Sequence, residues 1–438
     1  MSAGARPGAL PAGPALPGPL QALAWLARPV PFLLRAHAQL GDVFTIRIPQ
    51  EAPWIVLAHP DAVREVFTGK PHLLLAGEGN EVLRPILGPR SVLLLDGPAH
   101  LRERRLLLPP LHGERMQRYG ELMRDVAERE IASWPAHTPF RLAPRMQAVT
   151  LEIILQAVFG VGEGARKEAL RGALDGLLTF MARPSSFAVL VAAGAQRATR
   201  LPMFRRVIDR VDRLVREEVA ARRAVADLEQ RDDILSLLLQ ARDEHSGPLT
   251  DDELRDELVT LLVAGHETTA TALSWAVERG LRTPGVMERL RDELAAGDTA
   301  YLRAVCHETL RLRPVLPVVL RRLAEPMRIA GHDLPAGVKA APCISLVHRR
   351  PDVYPEPHRF RPERFLGVVP GTYTWIPFGG GVRRCLGASF ALFEMEAVLA
   401  AVATRTSLRP AAPASERTAR RSITFAPAKG AAVVRVAA

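Results

Sequence analysis

The sequence predicts a mainly helical protein with small β-sheets. Hydrophobic residues make up 48% of the 438 residues but aromatic residues only 5%, so alanine, leucine and valine must fill the core. Alanine and leucine favour helices, and the helix-like segments are long, whereas the β-branched runs are short. The length would allow about three average domains, but no linker-like break divides the chain. We therefore expect one domain.

The N-terminal stretch is punctuated by prolines. We predict a flexible proline-rich tail over residues 1–18 and the single domain over residues 19–438. No apolar run here approaches the ~20 residues that span a bilayer, and a charged start followed by an apolar core, as in a signal peptide, is not found. We expect a cytoplasmic protein without a transmembrane anchor.

Charge and cysteine content narrow the function classes. The net charge is +11, which could attract nucleic acid, an anionic membrane or an acidic protein. The charges are spread along the chain without an aromatic-rich basic stripe, so nucleic-acid binding is the weaker interpretation. The three cysteines, Cys306, Cys343 and Cys385, are too few for a disulfide framework and indicate a reducing compartment. Cys306 and Cys343 lie in apolar runs and are expected in the core.

The secondary-structure elements follow from local patterns. Strands bounded by glycine and proline are expected at 42–48 and 54–57, as a hairpin, and a strand–turn–strand unit at 329–347. Helices are expected at 19–39 with a break at Pro29, 61–68, 96–108, 114–133, 143–159, 202–228, 250–282, 298–313 and 388–403. Residues 69–90 form a poorly periodic loop, and residues 164–200 a helical pattern loosened by glycines.

The most informative stretch lies near the C-terminus, where Gly379, Gly380 and Gly381 precede Cys385. Glycines allow positive φ and close approach to the backbone. A cysteine at a helix start beside arginines favours the thiolate. One cysteine without a nearby histidine or second cysteine does not suit zinc, but it suits an iron whose other ligands come from a macrocycle. The alternative is a glycine-rich loop with a buried structural cysteine.

The spacing Phe378-x-x-Gly381-x-Arg383-x-Cys385-x-Gly387 resembles the haem-binding signature of cytochrome P450 monooxygenases, in which a cysteine thiolate binds the iron. The resemblance covers the chain after about residue 15. It implies the single-domain cytochrome P450 fold and haem b (iron protoporphyrin IX) as cofactor. It further implies Cys385 as the thiolate ligand of the iron and Phe378, Arg383 and Gly387 as haem contacts.

Four basic residues are candidates to hold the haem propionates. His100 and Arg104 are four apart and share a helix face, although a solvated basic face would show the same pattern. They resemble the His-x-x-x-Arg variant of a family motif. The resemblance also implies Arg321, or the adjacent Arg322, and Arg383 as propionate contacts. Together they would balance two buried carboxylates.

The helix predicted over 250–282 begins with a capping box, Thr250 and Glu253. Its interior carries a glutamate and two threonines, which are costly in an apolar helix unless they are partnered. Threonine hydroxyls bond the carbonyl three or four residues back and bend a helix. The residues alone are equally compatible with a core helix that has a glutamate at a water-filled bend.

The run Ala264-Gly265-His266-Glu267-Thr268 resembles the oxygen-activating helix of the same family. The resemblance implies that Ala264 and Gly265 line the haem pocket. It assigns Glu267 and Thr268 as the catalytic pair that relays protons while dioxygen is cleaved.

Three further residues are expected to be structural. Glu308 and Arg311 lie three apart in an apolar helix, which predicts a buried ion pair. They resemble the Glu-x-x-Arg motif of the family. Arg364, in the run 362–365, resembles the arginine that completes the triad.

The function implied is a monooxygenase that inserts one atom of O2 into an apolar small molecule, by hydroxylation or epoxidation. No flavin or iron–sulfur motif is present in the sequence, so a ferredoxin and an NAD(P)H-dependent ferredoxin reductase are expected to supply electrons. Alternatives are a P450-fold enzyme that couples or rearranges its substrate, and a non-catalytic haem-binding sensor. Residues 69–90 and 172–202 are expected to shape the substrate pocket, with a lid around Phe180, Met181, Phe187 and Leu190.

Overall fold

The protein is described by a computed structural model, which covers residues 10–437 except 114, 161–163, 184, 187–188, 190–196, 198–199, 244–246 and 422. Helices account for 56% of the residues. The sheets are small, so the predicted fold class is confirmed. Phe187 and Leu190 of the expected lid lie outside the described residues.

The helices predicted from the sequence are found close to their expected bounds. Helices at Ile234–Gln240 and Val286–Ala295 were not predicted, and a helix at Ile344–Val347 replaces the end of the expected strand–turn–strand unit. The bounds of the described helices are α1 Gly18–Ala27, α2 Pro29–Leu40, α3 Pro60–Thr68, α4 Ala76–Gly79, α5 Arg84–Leu87, α6 Gly97–Leu107, α7 Arg115–Ala132, α8 Leu142–Phe159, α9 Ala165–Ala182, α10 Pro202–Arg223, α11 Ile234–Gln240, α12 Asp251–Arg282, α13 Val286–Ala295, α14 Ala300–Leu312, α15 Ile344–Val347 and α16 Ala388–Arg405. The segment 69–90 differs from its prediction, because two short helices and a strand occupy what was expected to be a loop.

The strands form four small sheets. Their bounds are β1 Val43–Ile46, β2 Trp54–Leu57, β3 Leu74–Leu75, β4 Pro139–Arg141, β5 Arg321–Leu323, β6 Met327–Ile329, β7 His332–Leu334, β8 Lys339–Pro342, β9 Ser407–Pro410, β10 Thr418–Arg421, β11 Thr424–Pro427 and β12 Ala432–Ala437. The largest sheet has the order β1-β2-β8-β5-β3, and a second has the order β4-β12-β9. The hairpins are β6–β7 and β10–β11. The predicted β1–β2 hairpin is confirmed, with Val43 opposite Leu57.

The predicted tail is described from residue 10 onwards, and this part is hydrogen-bonded to strand β1. Thr45 in β1 donates its backbone N–H to the carbonyl of Ala12 at 2.9 Å and its hydroxyl to the carbonyl of Pro11 at 2.6 Å. A side chain at Gly13 would collide with the carbonyl of Thr45. The prolines stiffen this segment, which therefore lies along the sheet edge as a bound strand-like stretch.

The long helix α12 is the central element of the core. The Thr250 hydroxyl accepts the N–H of Glu253, and Glu253 reaches back to the N–H of Thr250 at 2.7 Å, so the predicted capping box is confirmed. The helix packs against α8, α14, α16 and β11. It therefore runs through the molecule beside the helix that follows Cys385.

One helix among the described residues, α8, is long and apolar enough to cross a membrane by length and composition. Of its 18 residues, 67% are buried inside the protein, and it packs against α12. Such burial is typical of a core helix.

Candidate active site

The glycine-rich loop before Cys385 is pinned against α3. Gly379 and Gly381 have φ of 65° and 64°, a region that favours glycine. A side chain at Gly380 would collide with the ring of Phe67, and one at Gly381 with its carbonyl. The loop conformation therefore requires glycine at these positions.

Cys385 lies at the start of α16, within a closed turn. Its N–H donates to the carbonyl of Phe378 at 2.9 Å, and the ring of Phe378 packs edge-on against Trp375 with centroids 5.9 Å apart. The N–H of Gly387 points to the thiol. Cys385 is deeply surrounded by protein atoms yet accessible, unlike the buried Cys306 and Cys343. Cys385 is therefore the cysteine among the three that a ligand could reach.

The protein groups around Cys385 do not by themselves favour the thiolate, contrary to the prediction. Burial raises the pKa of Cys385, whereas the Gly387 N–H and the guanidinium groups of Arg104 and Arg384 lower it by less. A coordinated metal ion deprotonates a thiol by its own charge, so the iron would supply what the loop does not.

The four predicted propionate residues lie close together. His100 is 3% exposed, and burial together with the charges of Arg383, Arg104 and Arg321 lowers its pKa to about 3. Burial also lowers the pKa of Arg321 and of Arg383 to about 10. Arg104 donates to the carbonyl of Arg384 at 2.8 Å, which connects the group to the cysteine loop. The structure thus brings together three guanidinium groups and a neutral imidazole.

Arg383 has protein partners that the sequence did not predict. It donates to the carboxylate of Asp96 and to the carbonyls of Val92 and Leu95. Asp96 also accepts the N–H of Ala76 at 2.9 Å. One carboxylate against three guanidinium groups leaves an excess of positive charge, which fits two further carboxylates. The propionate contacts of His100, Arg104, Arg321 and Arg383 stay predictions.

The segment that leads to His100 is fastened to the first half of α12. The carboxylate of Glu257 accepts the N–H of Val92 at 2.7 Å, and that of Asp256 accepts the N–H of Arg90 at 2.9 Å. The hydroxyl of Thr260 donates to Ser91 at 2.7 Å. These polar side chains on α12 could have been noticed as exceptions in an apolar helix, but their partners lie about 165 residues away.

The middle of α12 is accessible at one point. Ala264 is exposed although Leu262 and His266 on either side are buried. The hydroxyl of Thr268 donates to the carbonyl of Ala264 at 2.7 Å, which confirms the expected bond to the previous turn. At Gly265, a side chain would press on Ile154 of α8, 3.1 Å away. The structure thus gives Gly265 a packing role, and its haem contact stays a prediction.

Glu267 is directed towards the C-terminal hairpin β10–β11. The hydroxyl of Thr424 donates to its carboxylate at 3.4 Å, and the guanidinium of Arg421 lies nearby. Burial raises the pKa of Glu267 despite these two groups. The carboxyl group therefore retains a proton at a higher pH than an ordinary glutamate does.

The structural triad has the predicted geometry. Arg311 donates to the two carboxylate oxygens of Glu308 at 2.6 and 2.8 Å, and both residues are 0% exposed. The guanidinium of Arg364 lies 3.2 Å from the same carboxylate. Arg311 also donates to the carbonyls of His348 and Pro357, each at 2.8 Å. The triad therefore fixes the loop segments that precede the cysteine loop.

Sequence reasoning missed Glu394, a buried acid on α16. It is 1% exposed, hydrogen-bonds to Thr269 of α12, and has one carboxyl oxygen without a partner. It joins the helix that follows Cys385 to the residue next to Thr268. A single glutamate facing the apolar side of α16 was the available signal.

Glu394 is expected to make stability fall with rising pH. Burial raises its pKa from 4.5 to about 8, so the folded protein retains a proton that the unfolded chain releases. This stabilisation is complete below pH ~4.5 and is lost as the pH rises through 8. In Glu394→Gln the free energy of unfolding should fall less steeply between pH 5 and 8, by about 1.4 kcal/mol per pH unit. Urea denaturation across this range measures it.

The exposed Glu217→Gln variant, whose residue is paired with Arg213 on the surface of α10, is the control and should keep the wild-type pH profile. Equal pH profiles for wild type and Glu394→Gln would show that Glu394 is ionised in the folded protein.

The fold and the site define a class of protein. An accessible cysteine on a glycine-rich loop, a cluster of unneutralised arginines and an accessible Ala264–Thr268 turn fit a haem held through a thiolate. The sequence matches the family description Cytochrome P450 over residues 14–427. The chain belongs to the cytochrome P450 family, whose members bind haem b through a cysteine thiolate and act as monooxygenases.

Relatives and solved structures agree with this assignment. A Mycobacterium bovis protein named as cytochrome P450 135B1 is 41% identical over 97% of this chain and 91% of its own. A Mycobacterium tuberculosis protein named as cytochrome P450 135A1 is 38% identical over 96% and 94%. The structure of retinoic acid bound cyanobacterial CYP120A1 matches with a TM-score of 0.82 at 24% identity, covering 98% of this chain and 99% of its own, which shows a shared fold.

Proposed function

We propose that the enzyme hydroxylates or epoxidises an apolar small molecule, inserting one atom of O2. A ferredoxin, reduced by an NAD(P)H-dependent reductase, supplies the electrons. The observation that carries the proposal is the pairing of the Thr268 hydroxyl with the carbonyl of Ala264, which is exposed in the middle of α12, next to the half-buried acid Glu267. The net charge of +11 supports an acidic redox partner. A cytoplasmic location stays a prediction.

Two groups of residues would serve the haem. One group would hold it, and the other would deliver protons. Cys385 binds the haem iron, Phe378 and Gly387 shape the loop around the sulfur, and Arg383 joins the basic group that receives the propionates. The bound haem supplies activation of O2 and transfer of one oxygen atom. The protein has to hold the group, exclude water and deliver protons.

Proton delivery is the task of Glu267 and Thr268. Burial raises the pKa of the Glu267 carboxyl group, which moves it towards the working pH, where a proton donor is most effective. Thr268 faces the accessible turn, so its hydroxyl can pass a proton on and recover one. Thr424 and Arg421 adjoin Glu267 on the other side, and they partly offset the rise of its pKa that burial causes.

Fewer observations support the predicted substrate pocket. Of the expected lid residues, Phe180 and Met181 are described and buried, and Phe180 packs on Phe204 of α10 with centroids 4.9 Å apart. These contacts are core packing, so a lining role for the two residues stays a prediction. An apolar substrate is proposed from the character of the segments around them.

Thr268→Ala tests the proposal. Spectral shifts of the ferric haem would first identify a compound that binds, and the enzyme would then be run with ferredoxin, reductase, NADPH and ¹⁸O2. We expect wild type to place one ¹⁸O atom in the product for most NADPH consumed. In Thr268→Ala, product per NADPH should fall at least tenfold and hydrogen peroxide should rise, because proton delivery is worth about 10²–10⁴-fold in typical enzymes.

Ser274→Ala is the matched control. Ser274 lies on the same helix and its hydroxyl makes the same bond to the previous turn, 2.7 Å to the carbonyl of Ala270. It should keep the coupling of wild type. Full coupling in Thr268→Ala would refute the proton relay, and a product without ¹⁸O would favour coupling or rearrangement. A protein that consumes no NADPH with any bound compound would favour a sensor.

A further inference from the structure

A second charged site lies away from the cysteine loop. A small cavity opens between α12, the end of α14, α15 and the hairpin β10–β11. Its lining includes Trp275, Arg313, Ser345, Arg349, Thr418 and Phe425. The space takes little more than one water-sized sphere, which sets a limit on what it can hold.

Two arginines line this cavity without a carboxylate partner among the described residues. Arg349 is 7% exposed and donates only to the carbonyls of Ser345 and Leu312, at 2.7 and 2.6 Å. The guanidinium of Arg313 lies over the ring of Trp275, 4.9 Å from its centroid. Arg313 is partly exposed, whereas Arg349 is a buried charge, and buried charges are usually paired.

The surrounding charges do not neutralise the pair. Arg313 and Arg311 both act on Arg349, and burial together with these charges lowers the pKa of Arg349 to about 9. The acid that acts on Arg313 is Glu278, whose carboxylate already binds Arg279 and Arg282. A net positive potential therefore remains in the cavity.

Two donors in the cavity wall have no hydrogen-bond partner within the part of the chain that the structure describes. They are Nε of Arg313 and the hydroxyl of Ser345, which is 2% exposed. A buried donor without a partner destabilises the folded protein. Two free donors beside two uncompensated guanidinium groups select an anion over a neutral molecule.

We propose that this cavity binds one small monatomic anion of the chloride class. Nε of Arg313 and the hydroxyl of Ser345 bind it, and Arg349 contributes charge. A single chloride would satisfy both donors and offset the buried charge. Because the cavity wall combines α12, α14 and β10–β11, anion binding would stabilise the junction between these elements. The proposal does not depend on the reaction at Cys385.

Bromide is the probe, because it resembles chloride and scatters X-rays anomalously. The thermal midpoint of the purified holoprotein would be measured in sodium bromide and in sodium glutamate at equal ionic strength. Since a bound anion stabilises the folded state by mass action, we expect a saturable rise of about 2 °C for wild type. Arg313→Met and Ser345→Ala should lose most of this rise, whereas the exposed Arg205→Met should keep it.

A crystal soaked in bromide gives an independent readout. An anomalous peak between Arg313 and Ser345 is expected in wild type. A water at that position, or equal bromide-dependent shifts in wild type and Ser345→Ala, would overturn the proposal. If Arg313→Met does not fold, the anomalous peak in wild type and the bromide-dependent thermal midpoint of Ser345→Ala still test the proposal.

Discussion

Replacing Cys385 by serine is expected to abolish the long-wavelength absorption band of the reduced, carbon-monoxide-bound protein, together with all monooxygenase activity. A haem whose iron is bound by a thiolate absorbs far to the red of one bound by histidine, and a serine hydroxyl cannot replace the thiolate. Cys385 is the accessible cysteine and lies on the loop that Gly380 and Gly381 fasten to Phe67. The measurement is the reduced carbon monoxide difference spectrum, with haem content determined in parallel.

The chain offers two matched controls for this experiment. Cys306 and Cys343 are 0% exposed, and burial raises the pKa of both thiols, so neither can reach a cofactor as a thiolate. Cys306→Ser and Cys343→Ser should keep the band. A band that persists in Cys385→Ser, or one that disappears in either control with haem still bound, would assign the iron to a different ligand.

Arg311→Met is expected to destabilise the folded protein by about 3–5 kcal/mol, the usual cost of removing one partner of a buried ion pair. Glu308 would stay 0% exposed with Arg364 as its remaining cation, 3.2 Å away. The carbonyls of His348 and Pro357 would also lose their donor. Urea denaturation of the holoprotein should show a lower midpoint with an unchanged slope.

An exposed ion pair provides the comparison. Arg213 and Glu217 lie 2.9 Å apart on the surface, with side chains 61% and 55% exposed, and such pairs contribute about 0.2–1 kcal/mol. Arg213→Met should therefore barely shift the midpoint. A loss below 1 kcal/mol in Arg311→Met would mean that water replaces the guanidinium and that the triad is not a stabilising centre.

Local signals explain which elements could be predicted from the sequence. The capping box of Thr250 and Glu253 marks the start of α12 because both partners lie within one turn. The spacing of Glu308 and Arg311 puts them on one helix face, and the glycines before Cys385 require a tight loop. In each case the interacting groups are a few residues apart, so their spacing in the sequence predicts the geometry.

Other features could not be predicted because the deciding contacts are distant in sequence. The carbonyls of Pro11 and Ala12 accept hydrogen bonds from Thr45, about 30 residues later. The surroundings of Cys385 include Arg104 and much buried surface, so burial outweighs the helix start and the net pKa of its thiol rises. Neither effect can be predicted from the neighbouring residues in the sequence.

The sequence by itself determined the helical class, the central helix with its threonine and acid, the ion-pair triad and the cysteine loop. Only the tertiary structure decided the partners of the charged side chains: Asp96 for Arg383, Thr269 for Glu394, Thr424 for Glu267, and no carboxylate for Arg313 and Arg349 among the described residues. The physical reason is that helix propensity and capping act within one turn. Burial and long-range pairing exist only once distant segments have packed together.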